Sequence, residues 1–281
     1  MADFKEVLIK NKTKDIKRKS NKYLVIFLVI FILGYAFFFT SNLFLPPTYQ
    51  GVTVTKIAEP ISSYDREITV ASWTYSEDQK EMEVIVEIEN KSLDGKNDYE
   101  WQARDKNGLL KTRVIHQDPK FAVINISDLK HRWTEVALDM MLKGESESEN
   151  GFSGVRLYTN DKEVKRVKSI SKKSMGEYML IATDSKINAV REEVKKTNVK
   201  IQESVDTQEE IRNLIADLKE KEKYMTETEI EENKIAINDY EQRLNTEENS
   251  EKQLNDKIVE LEKKISLLRE ERKGYEQGKS W

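Results

Sequence analysis

The sequence contains no cysteine, only 4 prolines, 10 glycines and 2 histidines among its 281 residues. Without cysteine there is no disulfide framework and no thiolate metal site. This absence fits a bacterial cell-envelope protein better than a eukaryotic secreted domain, which commonly uses disulfides. Two isolated histidines do not supply the several ligands that a metal site usually needs. We therefore expect neither a metal nor another cofactor.

An excess of one charge is also missing, since 47 Lys and Arg residues face 51 Asp and Glu residues for a net charge of −4. A nucleic-acid-binding domain usually carries a clear basic excess, so we expect no nucleic acid partner. The sequence has no phosphate-binding glycine loop, no nucleophile elbow and no carboxylate pair assignable to an apolar cleft. We therefore expect a protein that is not an enzyme and has no small-molecule substrate.

One long apolar run is present, because residues 23–45 carry no charged side chain. About 20 apolar residues suffice to cross a hydrocarbon core of about 30 Å. The run is longer than the apolar region of a cleaved signal and lacks a small-residue cleavage site. It predicts a transmembrane signal-anchor helix, with the membrane as a partner. The predicted anchor residues are Tyr23, Leu24, Phe27, Phe31, Phe37, Phe38, Phe39 and Leu45.

The flanks of this run predict its orientation. Residues 1–22 form a basic tail, and positive charge is retained on the cytoplasmic side of membranes. We therefore predict a single-pass cell-membrane protein with a cytoplasmic N-terminus and an extracytoplasmic C-terminal region. Residues 46–65 hold three of the four prolines and predict an extended linker. The predicted topology determinants are Lys17, Arg18, Lys19 and Lys22.

Residues 66–172 have the period-two alternation of β-strands. In EMEVIVEIEN, residues 81–90, every second side chain is apolar, which indicates a half-buried strand. Strict alternation in REITVASWTY, residues 66–75, places Ile68 and Trp73 on opposite faces. Further short segments are separated by Asp, Asn and Gly turns. This pattern predicts an antiparallel β-sandwich of immunoglobulin-domain size.

The segments EVIVEIENKS and GVRLYTNDKEVKRV resemble a strand and the closing hairpin of known extracytoplasmic domains. These are the immunoglobulin-like and telokin-like domains of Gram-positive envelope proteins. The resemblance covers residues 66–170. It implies a role in binding or spacing rather than catalysis, and resemblance of fold alone assigns no function.

Residues 177–276 contain no proline and a single glycine, Gly274. Apolar side chains recur there at the a and d positions of heptads, which predicts a C-terminal α-helical coiled coil. The predicted seam consists of Ile187, Val194, Ile201, Ile211, Ile215, Leu218, Ile237, Leu244, Leu254, Ile258, Leu261, Ile265 and Leu268. Residues 277–281 are a short tail.

The heptads slip by one residue between Met225 and Ile230, and Thr226 with Glu229 matches a capping box. Two alternatives follow. A continuous rod of about 140 Å would oligomerise in parallel, whereas a helical hairpin turning near 225–230 would be about 70 Å long. No Gly, Asn or Pro marks the turn that the hairpin needs.

These features together predict a multi-domain, membrane-anchored chain with one N-terminal transmembrane helix, an all-β immunoglobulin-like sandwich and a coiled coil. The leading functional interpretation is a non-enzymatic single-pass envelope protein. It would present the extracytoplasmic sandwich and the coiled coil for assembly, either with a protein partner or as a homo-oligomer through the coiled coil. One alternative is a structural subunit of a bacterial secretion, conjugation or export complex. A second alternative is a cell-wall enzyme with an unrecognised site.

Overall fold

The computed structural model describes residues 26–37, 39, 51–63, 65–144 and 154–278. The chain divides into two compact units, Met1–Gln50 and Gly51–Trp281. In the first unit, residues 26–37 form a helix, α1. Its aromatic side chains follow one another at i, i+4 spacing, with ring centroids 6.4 Å apart for Phe27 and Phe31.

The prediction of a transmembrane helix is wrong for the described residues. None of the helices found there combines the length and the apolar character that crossing a membrane requires. The same finding contradicts the predicted signal-anchor and the predicted single-pass location in the cell membrane.

The residues named for that anchor divide into two groups. Phe27, Phe31, Phe37 and Phe39 are described, and their side chains are exposed. Four further anchor residues and all four topology determinants lie outside the described residues: Tyr23, Leu24, Phe38, Leu45, Lys17, Arg18, Lys19 and Lys22.

The second unit begins with a β-domain, in which nine strands are described. They are β1 Pro60–Ser63, β2 Arg66–Ser76, β3 Glu81–Asn90, β4 Tyr99–Asp105, β5 Gly108–Asp118, β6 Phe121–Ser127, β7 Glu135–Leu142, β8 Val155–Asn160 and β9 Lys165–Val167. The pairing order is β1-β2-β3-β6-β5-β4-β7-β8, and β9 pairs with β2. All pairs are antiparallel except the parallel pair of β2 and β9.

Strand β5 connects the two sheets of the domain, because it pairs with β6 of one sheet and with β4 of the other. As a result, β2, β3 and β6 share one apolar core with β4, β7 and β8. The inward side chains of β3 are those that period two predicts. They are Met82, Val84, Val86 and Ile88, all 3% exposed or less.

A β-bulge in β2 changes which side chains of this strand point into the core. The register with β3 shifts between Val70 and Ser72, so that Ala71 is the extra residue. A bulge reverses the alternation on either side of it. Ile68 and Trp73 therefore both point into the core, although strict alternation predicts opposite faces.

Part of the predicted linker belongs to the β-domain. Residues 60–63 form β1, which pairs with β2, and Ile61 packs against the core. Further upstream, the backbone N–H of Thr55 donates to the carbonyl of Tyr158 at 2.9 Å along the edge of β8. This arrangement differs from a free extended spacer, because backbone hydrogen bonds attach residues 55–63 to both sheet edges.

Two long helices follow, α2 Met175–Lys221 and α3 Glu227–Glu276, joined through a short 3₁₀ turn, Glu222–Tyr224. The first turn of α2 is closed by a capping box between Ser174 and Glu177. The start of α2 covers the outer face of the sheet at β2, β3 and β6. The buried contact there comprises Ala71, Ile85, Phe121, Val123, Tyr178 and Ala182.

Candidate functional site: the helical hairpin

The two long helices pack antiparallel within one chain, as a helical hairpin. Arg272 near the end of α3 reaches Asp184 near the start of α2, with Nε 2.6 Å from Oδ1. Close to the turn, Lys219 of α2 lies 3.2 Å from Glu241 of α3. Of the two alternatives that the heptads leave open, the structure thus has the hairpin.

The predicted seam residues lie on the facing sides of the two helices, and each of them is buried or half-buried. All of them except Ile201, Leu254 and Ile258 belong to two apolar clusters. The cluster nearer the β-domain contains Ile187, Val190, Leu261, Ile265 and Leu268, with Val194 at its border. The cluster nearer the turn contains Ile211, Ile215 and Ile237, with Leu218, Tyr240 and Leu244 at its border.

A polar layer separates the two clusters. The hydroxyl of Ser204 donates to a carboxylate oxygen of Glu247 at 2.9 Å. The amide of Gln208 donates to Glu251 at 2.7 Å. Ser204 and Gln208 are 6% and 3% exposed, so these bonds satisfy polar groups that have left water. Arg212 adds a contact to Glu248 at 2.8 Å.

A buried carboxylate attaches the hairpin to the sandwich. Glu83 projects from the outer face of β3 and is 5% exposed. One of its oxygens accepts from Lys173 at 2.7 Å, and the other accepts from the hydroxyl of Tyr178 at 3.1 Å. Burial raises the pKa of the Tyr178 hydroxyl, which therefore remains a donor.

Further contacts reinforce this base. Lys186 of α2 lies 2.6 Å from Glu87 of β3. Tyr275, at the end of α3, donates to Glu271 at 3.0 Å. Burial, followed by this hydrogen bond, raises the pKa of the Tyr275 hydroxyl to about 12. At this end α2 is thus fixed to the sheet, and α3 is held to α2 by the ion pair of Arg272 with Asp184.

The turn of the hairpin needs no glycine. Glu222 keeps a helical backbone at φ −52° and ψ −33°, and the chain leaves the helix only at Met225, φ −97° and ψ 152°, and Thr226, φ −73° and ψ 165°. No residue from 222 to 226 has a positive φ. Ordinary residues adopt these angles freely, so the missing Gly and Asn are no obstacle. The capping box of Thr226 and Glu229 then starts α3.

The distal end of the hairpin exposes an aromatic side chain. Tyr224 is 82% exposed, and the ammonium of Lys223 lies 5.0 Å from its ring centroid. Met225 beside it is half-buried. Among the described residues of the hairpin, Tyr224 is the most exposed large hydrophobic side chain.

A groove of about 1390 Å³, lined by both charged and apolar residues, runs between the base of the hairpin and the edge of the sandwich. Its walls include Lys186 and Glu193 of α2 and Glu87 of β3. Glu193 pairs with Lys257 of α3 at 2.7 Å, and this hydrogen bond holds the pKa of the Glu193 carboxyl below its usual value. Both positive and negative side chains line the groove, so its charge is mixed. Across the described ranges, no group of three or more His, Asp or Glu side chains is placed to hold a metal ion.

The sequence does not predict the roles of Glu83 and Tyr178, the two residues that attach the hairpin to the sandwich. Glu83 has the position of an exposed glutamate on the polar face of a strand, and Tyr178 precedes the first complete heptad. The available signal is Ile85, an apolar residue on that otherwise polar face. It indicates that another element covers the sheet, but does not identify which one.

Comparisons with known proteins give one structural likeness. No family model and no curated protein matches the chain. Among solved structures, the M1 domain from titin is similar at 10% sequence identity and a TM-score of 0.22, over 37% of this chain and 98% of that chain. A likeness at that TM-score carries no argument, and the fold rests on the strand pairing itself. The structure supports only the coarser part of the predicted resemblance, a sheet-rich domain that precedes a pair of long helices.

Proposed function

We propose that this chain is a non-enzymatic binding protein. In this proposal the β-sandwich, which we infer to be immunoglobulin-like, holds the helical hairpin at its base. The distal turn of the hairpin, residues 222–226, docks onto a protein partner.

The observation that carries the proposal is that the heptad seam is already occupied within one chain. Ile187 and Leu268 share one apolar cluster, and Ile215 and Ile237 share the other. A parallel homo-oligomer would need these same side chains for contacts between copies. Recognition by the folded hairpin therefore falls to its outer surface and its turn.

The turn offers suitable chemistry for recognition. A tyrosine supplies a large amphipathic contact at low conformational entropy cost, and tyrosines are enriched among residues that dominate binding energy. Tyr224 is the exposed aromatic at this position, and Lys223 partly orders its ring by a cation–π contact. The attachment of the hairpin base to the sandwich supports the same interpretation, because a hairpin that is already ordered loses less conformational entropy when it binds a partner.

The experiment places a photo-reactive amino acid at position 224 of the full chain, in its own cells. We expect a discrete cross-linked protein, identified by mass spectrometry. The matched control carries the same probe at Val259, which is 66% exposed on α3, and should not cross-link to that protein.

Binding is then measured between the purified partner and the full chain. Tyr224→Ala should weaken the affinity by at least about tenfold, whereas Val259→Ala should leave it unchanged. Circular dichroism should show equal helix content for both variants, because neither side chain is buried. Equal cross-linking from positions 224 and 259, or equal affinities of the two variants, would contradict docking through the turn.

A further inference from the structure

We propose that the turn at residues 222–226 is a domain-exchange hinge. Through it, two copies of this chain exchange α3 and form an antiparallel dimer with one β-sandwich at each end. The partner is thus a second copy, and the interaction surface is the seam of the hairpin itself. This inference concerns self-association and goes beyond docking of a separate partner.

The backbone of the turn is close to that of a continuous helix. Residues 222–224 already continue α2 as a 3₁₀ turn, and only Met225 and Thr226 have extended ψ values, 152° and 165°. Rotation of these two ψ angles into the helical range would join α2 to α3. No glycine, proline or positive φ in this segment opposes that change.

Exchange reproduces the contacts that the hairpin makes. Cross-helix pairs such as Asp184 with Arg272 and Ser204 with Glu247 join antiparallel positions. In the exchanged dimer, each pair forms between α2 of one copy and α3 of the other. The hairpin loses the capping box at Thr226 and the 3₁₀ hydrogen bond from Met225 to Glu222, while the joined helix gains backbone hydrogen bonds through the hinge.

The polar layer selects the antiparallel arrangement. Gln208 is 3% exposed and donates to Glu251, so its buried amide is satisfied only when those two positions meet. In a parallel rod, Gln208 would face Gln208 of the other copy, and Glu251 would face Glu251. A buried polar pair that matches in one register disfavours the others. The layer also interrupts the apolar seam, so the helices separate more readily there.

The one-residue slip in the heptads sets the balance between the two forms. From Met225 to Ile230 the spacing is five residues, whereas a continuous heptad register has four. A joined helix therefore carries two seams rotated by about 100° relative to each other. Deletion of Thr226 restores the spacing of four and removes a cap that only the hairpin uses. This deletion should shift the population to the exchanged dimer.

The test uses disulfide trapping in the full chain, which has no cysteine of its own. Ser204→Cys and Glu247→Cys are introduced together, at positions that touch across the seam. The chain is oxidised after dilution, and again after unfolding and refolding at high concentration. We expect intrachain disulfides in the dilute sample and interchain dimers after concentrated refolding. Deletion of Thr226 should raise the dimer fraction at least about tenfold.

Two controls make the result specific. Ser204→Cys alone should not cross-link, because residue 204 meets residue 204 only in a parallel rod. Insertion of Gly-Asn between Met225 and Thr226 relaxes the turn and should abolish the dimer. Intrachain disulfides at every concentration, for both the parent and the Thr226 deletion, overturn the proposal. Cross-linking of the Ser204→Cys variant alone would overturn it in favour of a parallel rod.

Discussion

The hydroxyl of Tyr178 donates a hydrogen bond of 3.1 Å to the carboxylate of Glu83, and the two side chains are 1% and 5% exposed. Glu83 belongs to β3 and Tyr178 to the first turns of α2. One buried hydrogen bond thus joins the sandwich to the hairpin, although the residues are distant in sequence.

Tyr178→Phe should lower the free energy of unfolding by about 1–2 kcal/mol, because a buried carboxylate oxygen loses its donor. Tyr178→Ala should cost about 3–5 kcal/mol, since it also leaves a cavity between helix and sheet. Urea denaturation followed by circular dichroism measures both changes. Tyr224→Phe is the matched control and should stay within about 0.5 kcal/mol, as Tyr224 is exposed. Equal effects of Tyr178→Phe and Tyr224→Phe would show that the buried hydrogen bond contributes nothing.

The seam near the β-domain provides a second prediction. Ile265→Ala should destabilise the chain by about 2–4 kcal/mol, because Ile265 packs in the apolar cluster of α2 and α3. Leu267→Ala, two residues away on the same helix and 57% exposed, is the control and should have little effect. The measurement is the shift of the urea midpoint at constant slope. If both substitutions shift the midpoint equally, the assigned seam is wrong.

The polar layer should be the part of the hairpin interior that opens most readily. Amide hydrogen exchange should be faster around Ser204 and Gln208 than around Ile187 and Ile215 in the apolar clusters. Replacing Gln208 and Glu251 together with leucine should slow exchange there, since an apolar pair avoids the desolvation of a carboxylate. Uniform exchange along α2, unchanged by the double substitution, would argue against a weak central layer.

Acid stability should depend on Asp94. Its hydrogen bond from Arg66, at 2.7 Å, lowers the pKa of the carboxyl from 3.8 to about 2. A carboxyl with a depressed pKa in the folded state stabilises the fold above its unfolded pKa and loses that contribution as the pH falls. The melting temperature should therefore decrease between about pH 4 and pH 2 in the parent, and less so in Asp94→Asn.

Ser92→Ala is the control for that prediction. The hydroxyl of Ser92 accepts from the backbone N–H of Asp94 at 3.1 Å and does not titrate. This substitution should change the melting temperature by the same amount at every pH. A parent and an Asp94→Asn variant with parallel profiles would show that Asp94 is not responsible for the acid sensitivity.

Local periodicity is sufficient for part of this fold. The alternation in residues 81–90 predicts the inward face of β3, because the pleat fixes that face residue by residue. It does not predict that Ile85, on the other face, is covered by Tyr178. No local period encodes a contact between two elements so far apart along the chain. The sequence does not predict the bulge at Ala71 either, because the register between β2 and β3 determines it.

The helical region shows a different limit. The heptads identify the apolar seam. A continuous rod and a hairpin would both bury this seam, so the heptads do not distinguish the two structures. The missing glycine does not argue against a turn, because the turn at Met225 and Thr226 uses only negative φ angles. The apolar run at residues 23–45 is a different case: its composition predicts a membrane span, whereas no helix among the described residues is long and apolar enough to cross a membrane.

The measurement that tests the central claim most directly is the distance between spin labels at Asn188 and Leu267, in monomer isolated by gel filtration. Both side chains are exposed and lie near the base of the hairpin. Because packed helices lie about 8–10 Å apart, we expect one distance of about 10–25 Å, including the label arms. A monomer whose labels are on the order of 120 Å apart, as in a continuous helix, would contradict the account.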